Sequence, residues 1–526
     1  MLTDPLYKIV NDMVPLSFEA KMKKSMRIAL VHLDVRYSKP VTNRENILML
    51  NSQAALSGAD VILNTELPVS GYSFNSREDI AEFVESVQGP TVSGLAEIAR
   101  EHSKFIGIGL AEQDDATGIY YNSAIMIGPN GTRICRHRKI NAEMRWACPG
   151  DSKQENTFDT PWGRMGILIC SDTYYGLFAR SMALKGVDLL WVPANWPPVG
   201  IDALEVWNAR VLENGFFLAA CNRTGKDRMM DCRNAVSCVY APDGRLLFSA
   251  SSEESSVFLV DLPLDGNGKL QGVLRREKLK DRTPSRYAPI YLDMRLAEDL
   301  TTHYKLPTPA PLRVHCIVPA EHHPGVWSLE PLIQDIKGNG HDLLVLPPVP
   351  MSDWLTLQFL VHRHNAAICA TVVAREGNEK IHAMWTAEGD HAVDSANIYG
   401  RCNELPFPMI HYGPAKLALA PFDCFAHPEL AVAFSKLGCD LVLLSEEKLS
   451  KDSRLLCEIK TIEGIAVAAC ASNGGLVAMT PEGHHRWEER SIEGPGVCSF
   501  EIDIARIRKK RFQDRLDFEL LLRKPE

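Results

Sequence analysis

Cys170 ends an apolar run, 165–169, that reads as a buried strand, and a helix-like stretch from about Gly176 to Lys185 comes after it. A thiol at a strand tip that faces the start of a helix sits where geometry and dipole favour the thiolate, the nucleophilic form. Taken alone, such a cysteine is more often a small buried hydrophobe. Residue type proposes two partners for it. Glu66 closes an apolar strand within Asn64-Thr65-Glu66-Leu67-Pro68, where a carboxylate would stand at the C-terminal edge of a sheet; its plain alternative is a helix cap or a surface acid. Lys139 follows a strand in Arg136-His137-Arg138-Lys139, or is one cation of a solvated cluster. A nucleophile, an acid–base group and a cation together make covalent catalysis; singly they make nothing.

For the three to meet, strands and helices must alternate around them. Strands are expected at 26–35, 59–63, 105–110, 121–127 and 132–140, with helices at 43–56 and 91–102. After Cys170 come a strand at 188–192 running into Pro193-Ala194-Asn195-Trp196, a helix at 207–213 and a strand at 215–221. Further strands are expected at 236–240, 246–249 and 257–262, the first two joined by a Pro242-Asp243-Gly244 turn. Alternating strands and helices mixed with hairpins predict an α/β sandwich with helices outside the sheets.

Composition narrows the class. With 57 Lys+Arg against 66 Asp+Glu the net charge is −9, so no overall basic field draws nucleic acid or an anionic membrane. The basic run Arg508-Lys509-Lys510-Arg511 reads as a solvated helix face. The 14 cysteines contain no C-x-x-C pair, which argues for reduced thiols rather than a disulfide framework or a zinc site. His322-His323, His362-Arg363-His364 and His484-His485 lack companions at metal-ligand spacing and are expected on surface loops. Gly107-Ile108-Gly109 lacks the third glycine of a dinucleotide fingerprint. No metal or cofactor is therefore expected. The first 25 residues lack a signal peptide's apolar region, and no run of about 18 apolar residues occurs, so neither a membrane span nor export is expected and the compartment is read as cytoplasm.

Leu306-Pro307-Thr308-Pro309-Ala310-Pro311 is a proline-rich joint, and the chain beyond it echoes the chain before it. Residues 312–317 echo 26–31, 341–346 echo 59–64, 416–440 echo 165–188, and Pro481-Glu482-Gly483 echoes Pro242-Asp243-Gly244. The expected organisation is an extension at 1–25, a first domain at 26–300, a linker at 301–311 and a second, shorter copy at 312–526. Pro348 aligns with Glu66, Pro421 or Phe422 aligns with Cys170, and no lysine lies between Lys380 and Lys416. A proline neither carries a proton nor attacks a carbonyl, so the second copy is expected to be inert.

The first copy resembles the carbon–nitrogen hydrolase, or nitrilase, superfamily. The matching stretches are Asn64-Thr65-Glu66-Leu67-Pro68 with Gly71-Tyr72, Tyr121-Asn122-Ser123-Ala124, Arg138-Lys139 with Glu143 before Gly150, 166–172 running to Pro193-Ala194-Asn195-Trp196, and 210–214. The resemblance implies a four-layer αββα sandwich, here twice in tandem, and a Glu66–Lys139–Cys170 triad. In that scheme the thiolate attacks a carbonyl carbon and the reaction passes through a thioester. Glu66 shuttles the proton, while Lys139 and the backbone N–H of Ser171 hold the oxyanion. Glu143 matches the family's second glutamate, which positions the lysine. Tyr72, Ser171, Asn195 and Trp196 fall where family members line the pocket, although packing accounts equally for Tyr72, Asn195 and Trp196.

Ser171-Asp172 replaces the Trp-Glu pair typical of true nitrilases, which points to a small amide or carbamoyl compound, with water as second reactant. Residues 141–150 are expected to border the pocket, with Arg145 or Trp146 selecting a carboxylate or planar group. The alternatives are a nitrilase acting on a nitrile and a non-catalytic scaffold. Family dimers suggest that the second copy takes the place of a partner subunit, giving a pseudo-dimer in one chain, with or without further self-assembly; the contrary reading is an independent domain on a flexible joint.

Overall fold

The computed structural model describes residues 24–294, 299–320, 326, 330–334, 336, 342–373, 380–394, 409–480, 487–510, 515–517 and 520–521. The readings of residues 1–23, of His322-His323, of Pro481-Glu482-Gly483 and of His484-His485 lie outside the described residues.

Short apolar runs with little polar alternation form the inner strands, as expected of strands covered on both faces. Val61–Asn64, Leu189–Pro193 and Phe217–Cys221 are buried throughout. In space the first sheet runs Ser256–Pro263, Ser25–His32, Val61–Asn64, Phe105–Gln113, Tyr120–Ile127, Arg133–Arg138. The second runs Leu246–Ala250, Ser237–Tyr240, Phe217–Cys221, Leu189–Pro193, Gly163–Ile167, Thr157–Thr160. The three strands that start at Ser25, Val61 and Phe105 are parallel, as are those that start at Gly163, Leu189 and Phe217. Leu30, Leu63 and Met126 pack with Ile167 and Trp191 in one core between the sheets. Gly107 admits this contact, since a Cβ there would lie 2.6 Å from the Trp191 ring. The helices Pro40–Leu56 and Pro90–His102 cover the outside of the first sheet, and Gly176–Leu184 and Ala203–Asn214 cover the outside of the second. The result is an αββα sandwich.

The second half repeats the plan. A seven-stranded sheet contains the path Gly389–Asp394, Lys380–Thr386, Ala367–Val373, Asp342–Val345, Leu312–Val318, Gly496–Ile502. A six-stranded sheet runs Met409–Tyr412, Ala415–Leu419, Leu441–Glu446, Ala466–Ala471, Gly474–Met479, Glu488–Glu493. The register settles the alignment. Ile28 pairs with Val61 as Val314 pairs with Leu343, which carries Pro348 into the position of Glu66. Leu168 N–H donates to Trp191 O as Ala420 N–H donates to Leu443 O, which makes Phe422, not Pro421, the counterpart of Cys170. The position after Asp394, where Lys139 follows Arg138, is outside the described residues.

The two halves meet through helices: Gly176–Leu184 and Ala203–Asn214 pack on Pro428–Lys436 and Lys451–Lys460. The stretch after the first pair of sheets, with the helix Val273–Lys280 and the 3-10 segment Pro284–Tyr291, has no counterpart in the sequence-based expectations. Pro284–Tyr291 packs on the helix Pro428–Lys436, and Lys436 Nζ donates to Ile290 O (2.9 Å) and Leu292 O (2.7 Å).

Two expectations are corrected. In the basic run, Arg508 and Lys510 do not lie on a solvated helix face: Arg508 is buried on Asp440 (3.0 Å) and Pro414 O (2.7 Å), and Lys510 Nζ donates to Gly464 O (2.8 Å), while Arg511 lies outside the described residues. Groups distant in sequence face these cations, which a local charge pattern does not reveal. His362 and His364 end the helix Trp354–His364 rather than a loop. Among the described residues no group of three or more His, Cys, Asp or Glu is placed to hold a metal, no disulfide forms, and no helix is long and apolar enough to cross a membrane.

Candidate active site

Glu66, Lys139 and Cys170 come from three strand ends that open at the same edge of the sandwich. The Val61–Asn64 strand runs straight into the Glu66 loop. Asn64 Nδ2 donates to Gly107 O (2.8 Å), Thr65 Oγ1 donates to Ala194 O, and Leu67 takes φ +49°. Gly109 passes directly beneath: a Cβ there would stand 2.5 Å from Thr65 O and 2.9 Å from the Glu66 Cα. Only glycine lets the two backbones approach so closely. Cys170 opens a 3-10 turn, Cys170–Tyr174, and carries φ +43°. Left-handed backbone at a non-glycine residue costs on the order of 1–3 kcal/mol, and it persists where surrounding structure holds it.

Lys139 leaves the strand Arg133–Arg138, whose period of two explains the run of cations. Arg136 and Arg138 turn to Glu112, while His137 and Lys139 turn inward and are fully buried. Lys139 Nζ donates to Glu66 Oε1 (2.7 Å) and to Glu143 Oε1. Asn122 Nδ2 joins the two carboxylates, at 2.8 Å from Glu66 Oε1 and 2.9 Å from Glu143 Oε2. Tyr72 Oη donates to Glu143 Oε1 (2.7 Å).

The two glutamates are pushed apart in acidity. Burial, chiefly, raises the Glu66 carboxyl above the usual range, opposed by Lys139. Burial works the same way on Glu143, but Lys139 and the hydrogen bonds from Asn122 and Tyr72 outweigh it and hold that carboxyl below the usual range. Burial also works against charge on Lys139, yet Glu143 and Glu66 keep its ammonium well above the ordinary lysine range. One ammonium thus faces a carboxyl pushed up and a carboxyl held down, the kind of separation by environment seen in acid–base pairs. The Cys170 thiol is pushed well up by burial and then by Glu66, against Lys139 and the Asn195 backbone N–H. Both leading causes favour the neutral thiol over the thiolate.

The residues expected to line the pocket are in part committed elsewhere. Asn195 donates from its backbone to Glu66 Oε2 and from Nδ2 to Glu66 O, both at 2.8 Å, so it holds the carboxylate from behind. Tyr72 fixes Glu143. Trp196 is buried, gives its indole N–H to Ile201 O (3.0 Å) and packs on Tyr174 and Trp207. Half-buried Ser171 donates from Oγ to Asn141 O (3.1 Å). Trp146 is buried with Leu67, Phe74 and Ile80, and the exposed Arg145 lies 3.7 Å from the Met229 sulfur.

Sequence reasoning used Asp172 only as a marker of substrate type, whereas in the structure it ties two of the three strand ends together. Its Oδ1 accepts from Ile140 N–H (3.1 Å) and Asn141 N–H (2.8 Å), and its Oδ2 accepts from Ile169 N–H (3.1 Å) and faces His137 Nε2 (2.8 Å). Asn156 Nδ2 lies 3.3 Å from His137 Nδ1, which leaves Nε2 to carry the proton toward Asp172. The Lys139 loop and the Cys170 turn therefore share one buried carboxylate. Asp172→Asn would place an NH2 group against two of these donors, and each buried donor left unpaired costs about 1–3 kcal/mol. The expected outcome is a fall in the denaturation midpoint equivalent to roughly 3 kcal/mol, with kcat reduced more than KM changes; equilibrium unfolding and initial-rate kinetics check it.

The carbon–nitrogen hydrolase family model matches residues 27–270. A nitrilase of Pyrococcus abyssi is 30% identical over 269 residues, 50% of this chain and 99% of that protein. The human omega-amidase NIT2 is 28% identical over 274 residues, 49% of this chain and 96% of that protein. Among solved structures, an amidase from Nesterenkonia sp. AN1 in complex with butyramide superposes with a TM-score of 0.41 at 24% identity, covering 46% of this chain and 92% of that one.

Proposed function

The chain belongs to the carbon–nitrogen hydrolase family and is a C–N hydrolase acting on amides or nitriles; from this we propose that it cleaves a small non-peptide amide or carbamoyl compound through a thioester on Cys170. The observation that carries the reading is the buried cluster in which Glu66 is 2.7 Å from the Lys139 ammonium, with the Lys139 loop and the Cys170 turn held together through Asp172. Glu66 takes the proton from Sγ as Sγ attacks the carbonyl carbon. Lys139 and the Ser171 backbone N–H receive the charge that grows on the carbonyl oxygen. As the C–N bond breaks, Glu66 hands its proton to the leaving nitrogen, leaving an acyl group on Sγ. Glu66 then draws a proton from water, the hydroxyl adds to the thioester carbon, and the acid and the free thiol are released. Amide and water become acid and amine or ammonia. Ser171-Asp172 after the nucleophile favours this reading over nitrile hydrolysis.

In the same reading residues 26–300 form the working domain and 312–526 an inert copy, since Pro348 and Phe422 bring neither base nor nucleophile. The helices by which the halves pack support a pseudo-dimer within one chain, and the cysteine content is in keeping with a cytoplasmic setting. The test is a panel of small amides, carbamoyl compounds and nitriles, followed by acid quench and intact-mass and peptide analysis. An acyl adduct on the Cys170 peptide with amides or carbamoyl compounds is expected. Turnover of nitriles alone would replace the reading with nitrilase activity, and turnover of nothing would favour a scaffold.

A further inference from the structure

The helix after the nucleophile is capped, and its preceding turn braced, by a path that ends in the second half. Arg210 Nε donates to Thr173 O (2.8 Å) and Nη2 to Tyr174 O (3.0 Å), the last carbonyls of the turn that Cys170 opens. Arg210 Nη1 is in turn fixed by Glu213 Oε2 (2.5 Å). The other oxygen of Glu213 takes the ammonium of Lys460, which also donates to Ala426 O (3.1 Å). Arg210, Glu213 and Lys460 are buried, so each charge depends on the next for its compensation.

A second contact arrives beside it. The helix Gly176–Leu184 receives no side-chain cap from its own N-cap residue, Tyr175; instead Gly176 N–H donates to Glu463 Oε1 (3.3 Å). A Cβ on Gly176 would lie 2.7 Å from the Pro428 Cβ and 2.8 Å from Arg210 Nη1, so the second half seats directly on the start of this helix. An inert lobe that only shielded an apolar face would not need a buried ammonium and a carboxylate aimed at the turn behind the thiol.

We propose that Lys460 and Glu463 of the second half are positioning residues for Cys170, acting through Arg210–Glu213 and through Gly176, so that the lobe without catalytic groups completes the site of the other. The inference rests on Cys170 being the nucleophile and Glu66 its base. A misplacement of about 1 Å in a reacting group costs on the order of 10²-fold in rate, which is the scale a slack turn would produce.

The experiment uses the full chain and iodoacetamide, with alkylation of Cys170 followed by peptide mass spectrometry and normalised to the exposed Cys148. The readout is the factor by which Glu66→Gln slows alkylation of Cys170, measured with and without Lys460→Met. With Lys460 in place the factor is expected to be about 10²; with Lys460→Met it should fall below about 10, and Lys460→Arg should restore most of it. An undiminished factor in Lys460→Met overturns the inference. No effect of Glu66→Gln even with Lys460 in place overturns instead the assignment of Glu66 and Cys170 on which it rests. If Lys460→Met unmasks the buried Cys221, a sign of unfolding, the same comparison in Glu463→Leu decides by the same two outcomes.

Discussion

Cys170→Ala is expected to bring turnover to the uncatalysed background, a loss on the order of 10⁶ in kcat, as when the nucleophile of a concerted catalytic unit is removed. The expectation comes from the resting state of the site. Burial and the Glu66 carboxylate push the thiol up, and in the proposed reaction Glu66 withdraws its proton as the bond forms. Without sulfur the proposed base has no protein nucleophile left to activate. Substrate affinity should stay within a few-fold of the parent and stability within about 1 kcal/mol, since alanine meets the same strained backbone as cysteine did. Adding Glu66→Gln should then cost almost nothing more, because the two groups act as a unit. Steady-state kinetics on a substrate found by the panel check both points. A Cys170→Ala chain that still turns over within tenfold of the parent would remove the thioester from the mechanism.

How much of this is legible in the chain depends on how local the signal is. The inner strands are readable because strands covered on both faces must be apolar throughout, and their ends are marked by the first residues that break the run: Asn64 to Glu66 in one case, Cys170 in another. Lys139 is distinguishable from Arg136 and Arg138 by strand period alone, once the strand is granted. Contact between distant segments stays hidden. Asn195 holds Glu66 from 129 residues away, and Asp172 reaches back to Asn141 across 31. Both residues stand in the right motif, yet nothing local says whether an amide faces a substrate or a neighbouring carboxylate. Gly109 reads in the sequence only as part of an incomplete dinucleotide loop, whereas its use is to let a strand run under the Glu66 loop. Arg508 misleads for the same reason in reverse, since its partner Asp440 lies 68 residues before it.

Lys139→Met carries the second large effect, and it is separable from the first because it touches rate, pH profile and stability at once. Loss of one oxyanion donor lowers kcat by about 10²–10³, and the methionine side chain fills much of the space without supplying charge. The acid limb of kcat/KM should also move. In the parent, Glu66 is already raised by burial, so its base form is lost at a pH above that of an ordinary glutamate; Lys139 is the main force opposing that rise. Its removal drives Glu66 higher still, and activity should fail at a higher pH than in the parent. Stability responds with its own sign. Glu143 is held below the usual carboxylate range by Lys139, and a depressed carboxyl contributes stability above its unfolded pKa that is lost as pH falls through the folded value. Lys139→Met removes that contribution and leaves two carboxylates facing each other, at a cost of about 3–5 kcal/mol for breaking a buried pair. The deficit should be greatest at neutral and alkaline pH and should shrink in acid, where both carboxyls take protons. Denaturation midpoints measured across pH, beside the kinetic profile, check this. A variant that loses affinity alone, with kcat and the acid limb unmoved, would take the oxyanion from Lys139 and leave it as a binding residue.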